Sequence, residues 1–430
     1  MEKSMSRSTN WRDFIPPTDC KRSIELSHAD AYRWADLRCE DSFIKEWKEH
    51  WMRLHQQPYK GITNDGVLVR DLFNLANEGD DHGAPINDMV KAAAKILSLT
   101  GSTKSSVLKL GIDAQEWRAW MNPEIYLSRH GMRLEETSEE IIIAVHSLLR
   151  ASLSHAGYTK IRGCMNINHF LGETVNGTGV LNVNSYNFTL FGTPSTSEPW
   201  GWQIFGHHLS MNCFVLRTQM VISPVFMGAE PNCIDRGPNA GTELFVDQEQ
   251  TALKLISSFT EAERSRVCVY QELQGIEYPG WRYHKADQRH LGGAFQDNRV
   301  IPYEGELVST FSSTQQDIIR KLLTLSLDYL PERVLAIKLR DIENHWDATY
   351  FAWIGHFTRD EGFYYKIHSP VVLIEFDHHS GVFLNNALPL PFHIHTTVRT
   401  PNGNDYGKAL LELYRIAGTT SSGSDIHASR

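Results

Sequence analysis

Several features are scarce in this chain, and each absence excludes a class of protein. Only 6 cysteines occur in 430 residues, scattered as Cys20, Cys39, Cys164, Cys213, Cys233 and Cys268, with no Cys-x-x-Cys pair. That argues against a disulfide scaffold or a thiolate zinc site and fits reduced thiols. No run of about 18 apolar residues exists, so no membrane-spanning helix is expected. The stretch Met1–Arg7 is not followed by an apolar segment. No secretory leader is therefore expected, and a cytoplasmic location is. Positive charge is not in excess either. The net charge is -9, which favours neither a nucleic-acid nor an anionic-membrane partner. The G-x-S-x-G elbow, H-E-x-x-H, the phosphate-binding G-x-x-x-x-G-K-[ST] and Gly-rich dinucleotide fingerprints are all missing. What remains is an ordinary globular composition, 41% hydrophobic and 22% charged, long enough for a large core or two packed subdomains.

Histidine is what the chain has. Of 20 histidines, seven fall between residues 345 and 395: His345, His356, His368, His378, His379, His393 and His395. The segment Phe392–Arg399 alternates apolar and polar residues. As a strand it puts His393, His395, Thr397 and Arg399 on one face. Two imidazoles two residues apart on one face present neutral nitrogens to one metal ion, or they simply face water. Upstream, the apolar run Pro370–Ile374 ends in Glu375-Phe376-Asp377. Carboxylates at the end of a buried strand are costly unless paired, exposed or metal-bound. Glu375 is the stronger ligand candidate; for Asp377, pairing with an arginine competes with ligation.

A second cluster lies at mid-chain. Residues 200–215 read as one long strand with a kink at Gly206. Alternation then puts His207 with Phe205, Leu209, Met211 and Cys213 in the core. It puts His208 with Ser210 and Asn212 along a polar cavity. His208 is thus the ligand candidate and His207 the structural one.

The rest of the pattern gives an α+β organisation. Residues 1–30 read as a polar arm. Residues 31–160 are mainly helical, with apolar spacing over Ala84–Thr100 and a capping-box signal at Thr137–Glu140 that opens a helix stopping near Gly157. Residues 161–416 alternate strands and helices and carry the site, and 417–430 form a flexible tail. Residues 30–416 are expected to make one unit: a helical N-terminal part on a mainly antiparallel sheet with a His-rich site. Residues 271–313, rich in Gly, Pro, Asp and Arg, form either a cleft cover or plain surface. The turn Thr400–Gly407 is expected to cap the last helix through Asn404 or Asp405. Glu230 and Glu249 are read as structural.

These motifs also resemble a known family. Gly192-Thr193-Pro194-Ser195, Glu198-Pro199-Trp200-Gly201-Trp202, Gly206-His207-His208-Leu209 with Asn212, Phe226–Pro231, Tyr350–Trp353, the Glu375–Asp377 strand end and His393-Ile394-His395 with Arg399 are similar, in order and spacing, to the "domain of unknown function 3500" family. The resemblance runs from about residue 55 to 416. Pro401–Gly407 looks like the fungal branch. Asp377-His378-His379 departs from the Asp-Asn-Thr-Gln of bacterial members, which argues against His378 and His379 as shared ligands. The resemblance implies that the Gly-His-His and His-x-His segments belong to one design, and it brings no activity with it.

The expectation is a metal-dependent enzyme acting on a small, acidic organic molecule. His208, His393, His395 and Glu375 would be ligands, with Glu375 alternatively a base beside the metal and Arg399 a clamp for an anionic group. Without thiolates, this set suits iron, manganese, copper or zinc. A non-haem oxidoreductase is slightly favoured over a hydrolase or lyase. A non-catalytic metal- or ligand-binding protein is the third reading.

Overall fold

The computed structural model describes residues 10–77 and 79–424. Two antiparallel meanders form its centre. The first runs through β1 (Tyr186–Phe191), β2 (Trp200–Gly206), β3 (Leu209–Leu216) and β4 (Gln219–Ala229). The second contains β5 (Tyr350–Gly355), β6 (Phe363–His368), β7 (Leu373–His378) and β8 (Ile394–Arg399). Antiparallel pairing of β8 with β4 joins them into one sheet in the order β1-β2-β3-β4-β8-β7-β6-β5. Four shorter strands extend this sheet to 12. The mixed, mainly antiparallel architecture expected from the sequence is therefore present.

Helices surround the sheet: α1 (Lys21–Ser27), α2 (Ala31–Arg38), α3 (Ser42–Gln56), α4 (Ile86–Leu108), α5 (Glu139–Ser152), α6 (His155–Thr174), α7 (Val246–Ser258), α8 (Glu261–Val267), α9 (Ser313–Leu327), α10 (Glu332–Glu343) and α11 (Lys408–Ser424). The two sheet faces differ in kind. On one, Phe188, Leu190, Trp202, Ile204, Met211, Val225, Ile374 and Phe376 are buried against Val145 and Leu148 of α5, Ile161 of α6, Leu255 of α7 and Leu322 of α9. Each such side chain, fully buried, contributes about 1.5–3 kcal/mol. The other face is largely polar yet also buried. Strand register aligns His395, Thr397 and Arg399 of β8 with Asp377, Glu375 and Leu373 of β7. Lys366 and Tyr364 of β6 continue the row.

Residues 271–305 lie on this polar face, which resolves the choice left open for that region. The segment contains no helix; its backbone groups are satisfied by tight turns of its own and by side chains of the sheet and of the segment itself. Leu291 N and Gly292 N donate to Glu375 at 2.8 Å each. Gly292 O and Gly293 O accept from Arg399, and Leu273 O accepts from Arg289 at 2.6 Å. Arg282 and Lys366 both meet Glu304. Helices α2 and α3 cover the remainder through an aromatic cluster that includes Trp47, Trp51, Trp117, Trp120, Phe205, Phe226 and Phe295.

Four expectations need correction. Residues 200–216 are not one strand. Gly206 pairs with Leu209, so β2 and β3 form a hairpin whose two-residue turn is His207-His208, with His208 at φ 59°. The expected arm is structured from Trp11 onward: Trp11–Phe14 form a 3-10 turn and α1 follows. Residues 1–9 lie outside the described residues. The expected tail continues α11 to Ser424, and 425–430 lie outside the described residues. Finally, Gly157 does not stop a helix. It sits in the first turn of α6, capped by Ser154, and an added Cβ would come within 2.5 Å of Tyr329 Cα. Close packing, not termination, explains that glycine. The helix expected after Thr137–Glu140 does start there, but Ser138 makes no side-chain cap.

Candidate metal centre

The β2–β3 turn and the start of β8 bring three histidines together. His208 Nε2 is 3.2 Å from His395 Nε2 and 3.2 Å from His393 Nε2. His393 Nε2 and His395 Nε2 are 3.0 Å apart. The ring centroids are farther apart, at 4.7 to 5.2 Å, so the rings converge through their Nε2 atoms. All three side chains are buried.

Backbone placement explains the convergence. His208 N donates to Asn122 O, and its carbonyl accepts from Gly228 N at 2.8 Å, which locks the turn onto β4. Gly228 lies opposite His395. A Cβ there would sit 3.0 Å from both His208 Cδ2 and His395 Cδ2, so the glycine makes room for the pair. His393 Nδ1 donates to Ser380 O at 2.8 Å, leaving its Nε2 lone pair free. The Ser380 loop is held in turn by Glu230, which accepts from the backbone N–H groups of Val382, Phe383 and Leu384. Glu230 thus has the structural role read for it.

Burial holds all three imidazoles below their ordinary range, His393 at about 3 and the others well below 6.5; neighbouring histidines add to the effect. Three neutral rings with Nε2 atoms this close either share an N–H···N hydrogen bond or surround a cation, and the second arrangement is the one a metal ion would fill. Ligands about 2.1 Å from an ion are about 3.4 Å apart in a tetrahedron and about 3.0 Å apart on an octahedral face. The observed separations fall between, so the group can hold a metal of either geometry.

The other expected site residues go elsewhere. Glu375 is not in the triad. It accepts from Leu291 N, Gly292 N and Tyr364 OH, and Oε2 lies 3.7 Å from His290 Nδ1. Burial opposes its charge, but His290 and the two backbone donors outweigh that and hold the carboxyl well below the usual range. Asp377 pairs with Arg289 at 2.7 Å, the arginine pairing that competed with ligation. Arg399, expected as a substrate clamp, is engaged by the protein's own groups. Its guanidinium is completely buried and bonds Asp405 at 2.7 Å, Asp297 at 2.6 Å and two carbonyls. Asn212 bonds Gln203 and Pro224 O. His207 Nδ1 meets Asn168 Oδ1 at 2.8 Å, while its ring stacks on that of His208 with centroids 3.9 Å apart. Its structural role stands, although turn geometry rather than strand alternation separates it from His208.

The triad opens onto a cavity of about 450 Å³, lined by His208 and His395 together with Trp47, Phe226, His290 and His379. Sequence reasoning missed His290 and dismissed His379. His290 Nδ1 faces Thr397 Oγ1 at 3.1 Å and Glu375, while its buried Nε2 has no partner. Burial lowers its pKa, but Glu375 outweighs burial and raises it overall. His379 is 4.4 Å from His395 between ring centroids, and its Nδ1 shares Ser380 O with His393. The arginine- and aspartate-rich composition of 271–313 was the available signal for His290. Nothing in local spacing ties that segment to Glu375.

Fold and site together define an α+β protein with a buried three-histidine centre at the floor of a cavity. The chain belongs to the family described as "Protein of unknown function (DUF3500)", whose model matches residues 82–408. That range contains every residue of the triad. No functionally curated protein and no solved structure matches the chain.

Proposed function

We propose that this protein is a metal-dependent enzyme acting on a small organic molecule held in the cavity above His208, His393 and His395. The observation that carries this is the convergence of three buried Nε2 atoms beside a half-open cavity of about 450 Å³, a size typical of small-molecule sites. The protein would contribute three neutral ligands and leave coordination positions open towards the cavity. A bound metal would supply Lewis-acid or redox chemistry there. Non-haem oxidoreductase chemistry is the slightly favoured class, because all three candidate ligands are imidazole and the sequence carries no dedicated hydrolytic motif.

One observation favours a metal-dependent hydrolase or lyase as second reading. His290 lines the cavity, is oriented by Glu375, and has a buried Nε2 without a partner. An imidazole held by a carboxylate is suited to moving a proton to or from a bound molecule.

The test is elemental analysis of protein purified without chelators or a histidine tag, with cobalt(II) uptake read by its visible spectrum. About one ion per chain is expected, lost on chelation. Azide or nitric oxide should perturb the metal's spectrum, which reports open positions. Oxygen consumption by iron-loaded protein supports the first class; cleavage of an activated ester, lost in His290→Asn, supports the second. Absence of metal after purification, together with no uptake of iron, manganese, copper or zinc on dialysis, overturns the proposal.

A further inference from the structure

A second cavity, of about 260 Å³, lies at the opposite end of β8 from the histidines. Its floor is apolar and buried, formed by Ile222, Leu327, Leu330, Val334, Val398 and Leu410. The wall also carries polar side chains, among them His82, Gln219, Lys338, Asp341 and Asn404.

Asn404 is the informative one. It precedes the last 3-10 turn and helix, where a cap was expected, yet its side chain makes no capping bond. It is only 4% exposed, and its Oδ1 is buried without a hydrogen-bond partner. An unsatisfied acceptor in a buried wall costs about 1–3 kcal/mol and is usually matched by a ligand or ordered water. Lys338 donates to Val371 O at 2.7 Å, which uses one of its three N–H donors. Asp341 lies 3.7 Å from the ammonium, so the pair is balanced and no net charge calls for an ionic ligand.

We propose that this cavity is a second binding site, for a small uncharged amphipathic molecule with an apolar body and a hydroxyl head. The hydroxyl donates to Asn404 Oδ1 and accepts from Lys338. The body fills the floor between the β3–β4 end of the sheet and the α9–α10 junction. Neither contact involves the histidine triad, so the site stands whether or not the metal reading does.

The experiment titrates the full chain with 2-naphthol, followed by the probe's fluorescence. The controls are 2-methylnaphthalene, which keeps the shape without the hydroxyl, and 2-naphthoate, which adds a charge. Saturable binding of 2-naphthol at about one per chain is expected, tighter than either control. Asn404→Leu should weaken it about tenfold. Ile337→Trp, a change at the partly exposed rim, should abolish binding while circular dichroism and metal content stay unchanged. If Asn404→Leu fails to fold, Lys338→Met tests the same head-group contact. The proposal is overturned by no saturable binding, by equal affinity for 2-methylnaphthalene or 2-naphthoate, or by binding that survives Ile337→Trp.

Discussion

The two faces of the central sheet are equally buried but are held by different forces. The helix-covered face closes by apolar area, which is non-directional. Many arrangements of Leu, Ile and Phe would satisfy it. The loop-covered face closes by paired charges: Arg289 with Asp377, Arg282 and Lys366 with Glu304, and Arg399 with Asp297 and Asp405. Directional pairs fix atoms to within a few tenths of an ångström, and a three-nitrogen site needs that precision. The difference explains why the site lies on the costlier face. Desolvating these charges is tolerable only because each finds several partners.

The sharpest way to break this contrast is Arg399→Ala. It leaves Asp297 and Asp405 buried with fewer partners and should cost about 3–5 kcal/mol in denaturant unfolding. Arg399→Lys should also lose stability, because lysine cannot reproduce the planar fork, while affinity for metal stays near wild type. Loss of metal without loss of stability would contradict the structural role assigned to this arginine.

On the apolar face, Leu148→Ala should cost about 2–5 kcal/mol through lost burial and a cavity. Metal affinity should be unaffected, as measured by dialysis against a buffered ion. A coupled loss of metal would mean that the two faces are not independent.

The third test removes a ligand. His393→Ala and His395→Ala should each lower metal affinity by well over tenfold, because each nitrogen is a large share of so small a ligand set. Circular dichroism should remain that of the wild type. Wild-type metal content in both variants would remove the centre.

Acid should weaken both faces, which share buried neutral histidines. His146, packed on the helical side, is lowered to about 4 by burial and then by Arg162 and Arg150; His393 is lowered to about 3. The unfolded chain takes up these protons near pH 6.5, whereas the folded one resists until the lowered value. Stability therefore rises with pH across that window and falls as pH drops through it. For metal-free protein, each such histidine should remove about 2 kcal/mol between pH 7 and pH 5. His146→Gln should flatten its share of the unfolding free energy against pH; an unchanged slope would show that His146 is not held neutral.

The smallest effect is expected at His207. His207→Ala should cost about 1–3 kcal/mol by leaving Asn168 with one partner fewer, with metal retained. Metal loss in this variant, with retention in His208→Ala, would reverse the roles of the two neighbours.

Local pattern carried much of this protein. Alternation in Phe392–Arg399 placed His393 and His395 on one face, and the polar company of His208 marked it as the third candidate. The first follows from the two-residue period of extended backbone; the second rested on a strand register that the His207-His208 turn replaces. The apolar spacing over Ala84–Thr100 and the signal at Thr137–Glu140 likewise marked the helices α4 and α5. Alternation failed at His207-His208. A two-residue turn and a kinked strand share the same flanking residues, and pairing of Gly206 with Leu209 is a contact that local sequence does not encode. Glu375 was legible as a costly carboxylate at the end of a buried strand, and Arg399 was read as a clamp for an anionic group; neither was legible as the partner of a particular protein group. Asp405 is close to Arg399 in the chain, but Asp297 is 102 residues from Arg399 and Gly292 is 83 from Glu375, in a segment without periodicity. The sequence alone thus determined which residue types could hold a metal and which strand faces present them. Only the tertiary structure decided that β4 and β8 meet, that Gly228 leaves room for two imidazoles, and that His290 stands over Glu375. Those outcomes depend on long-range register and on the pairing of buried charges, which no local period specifies.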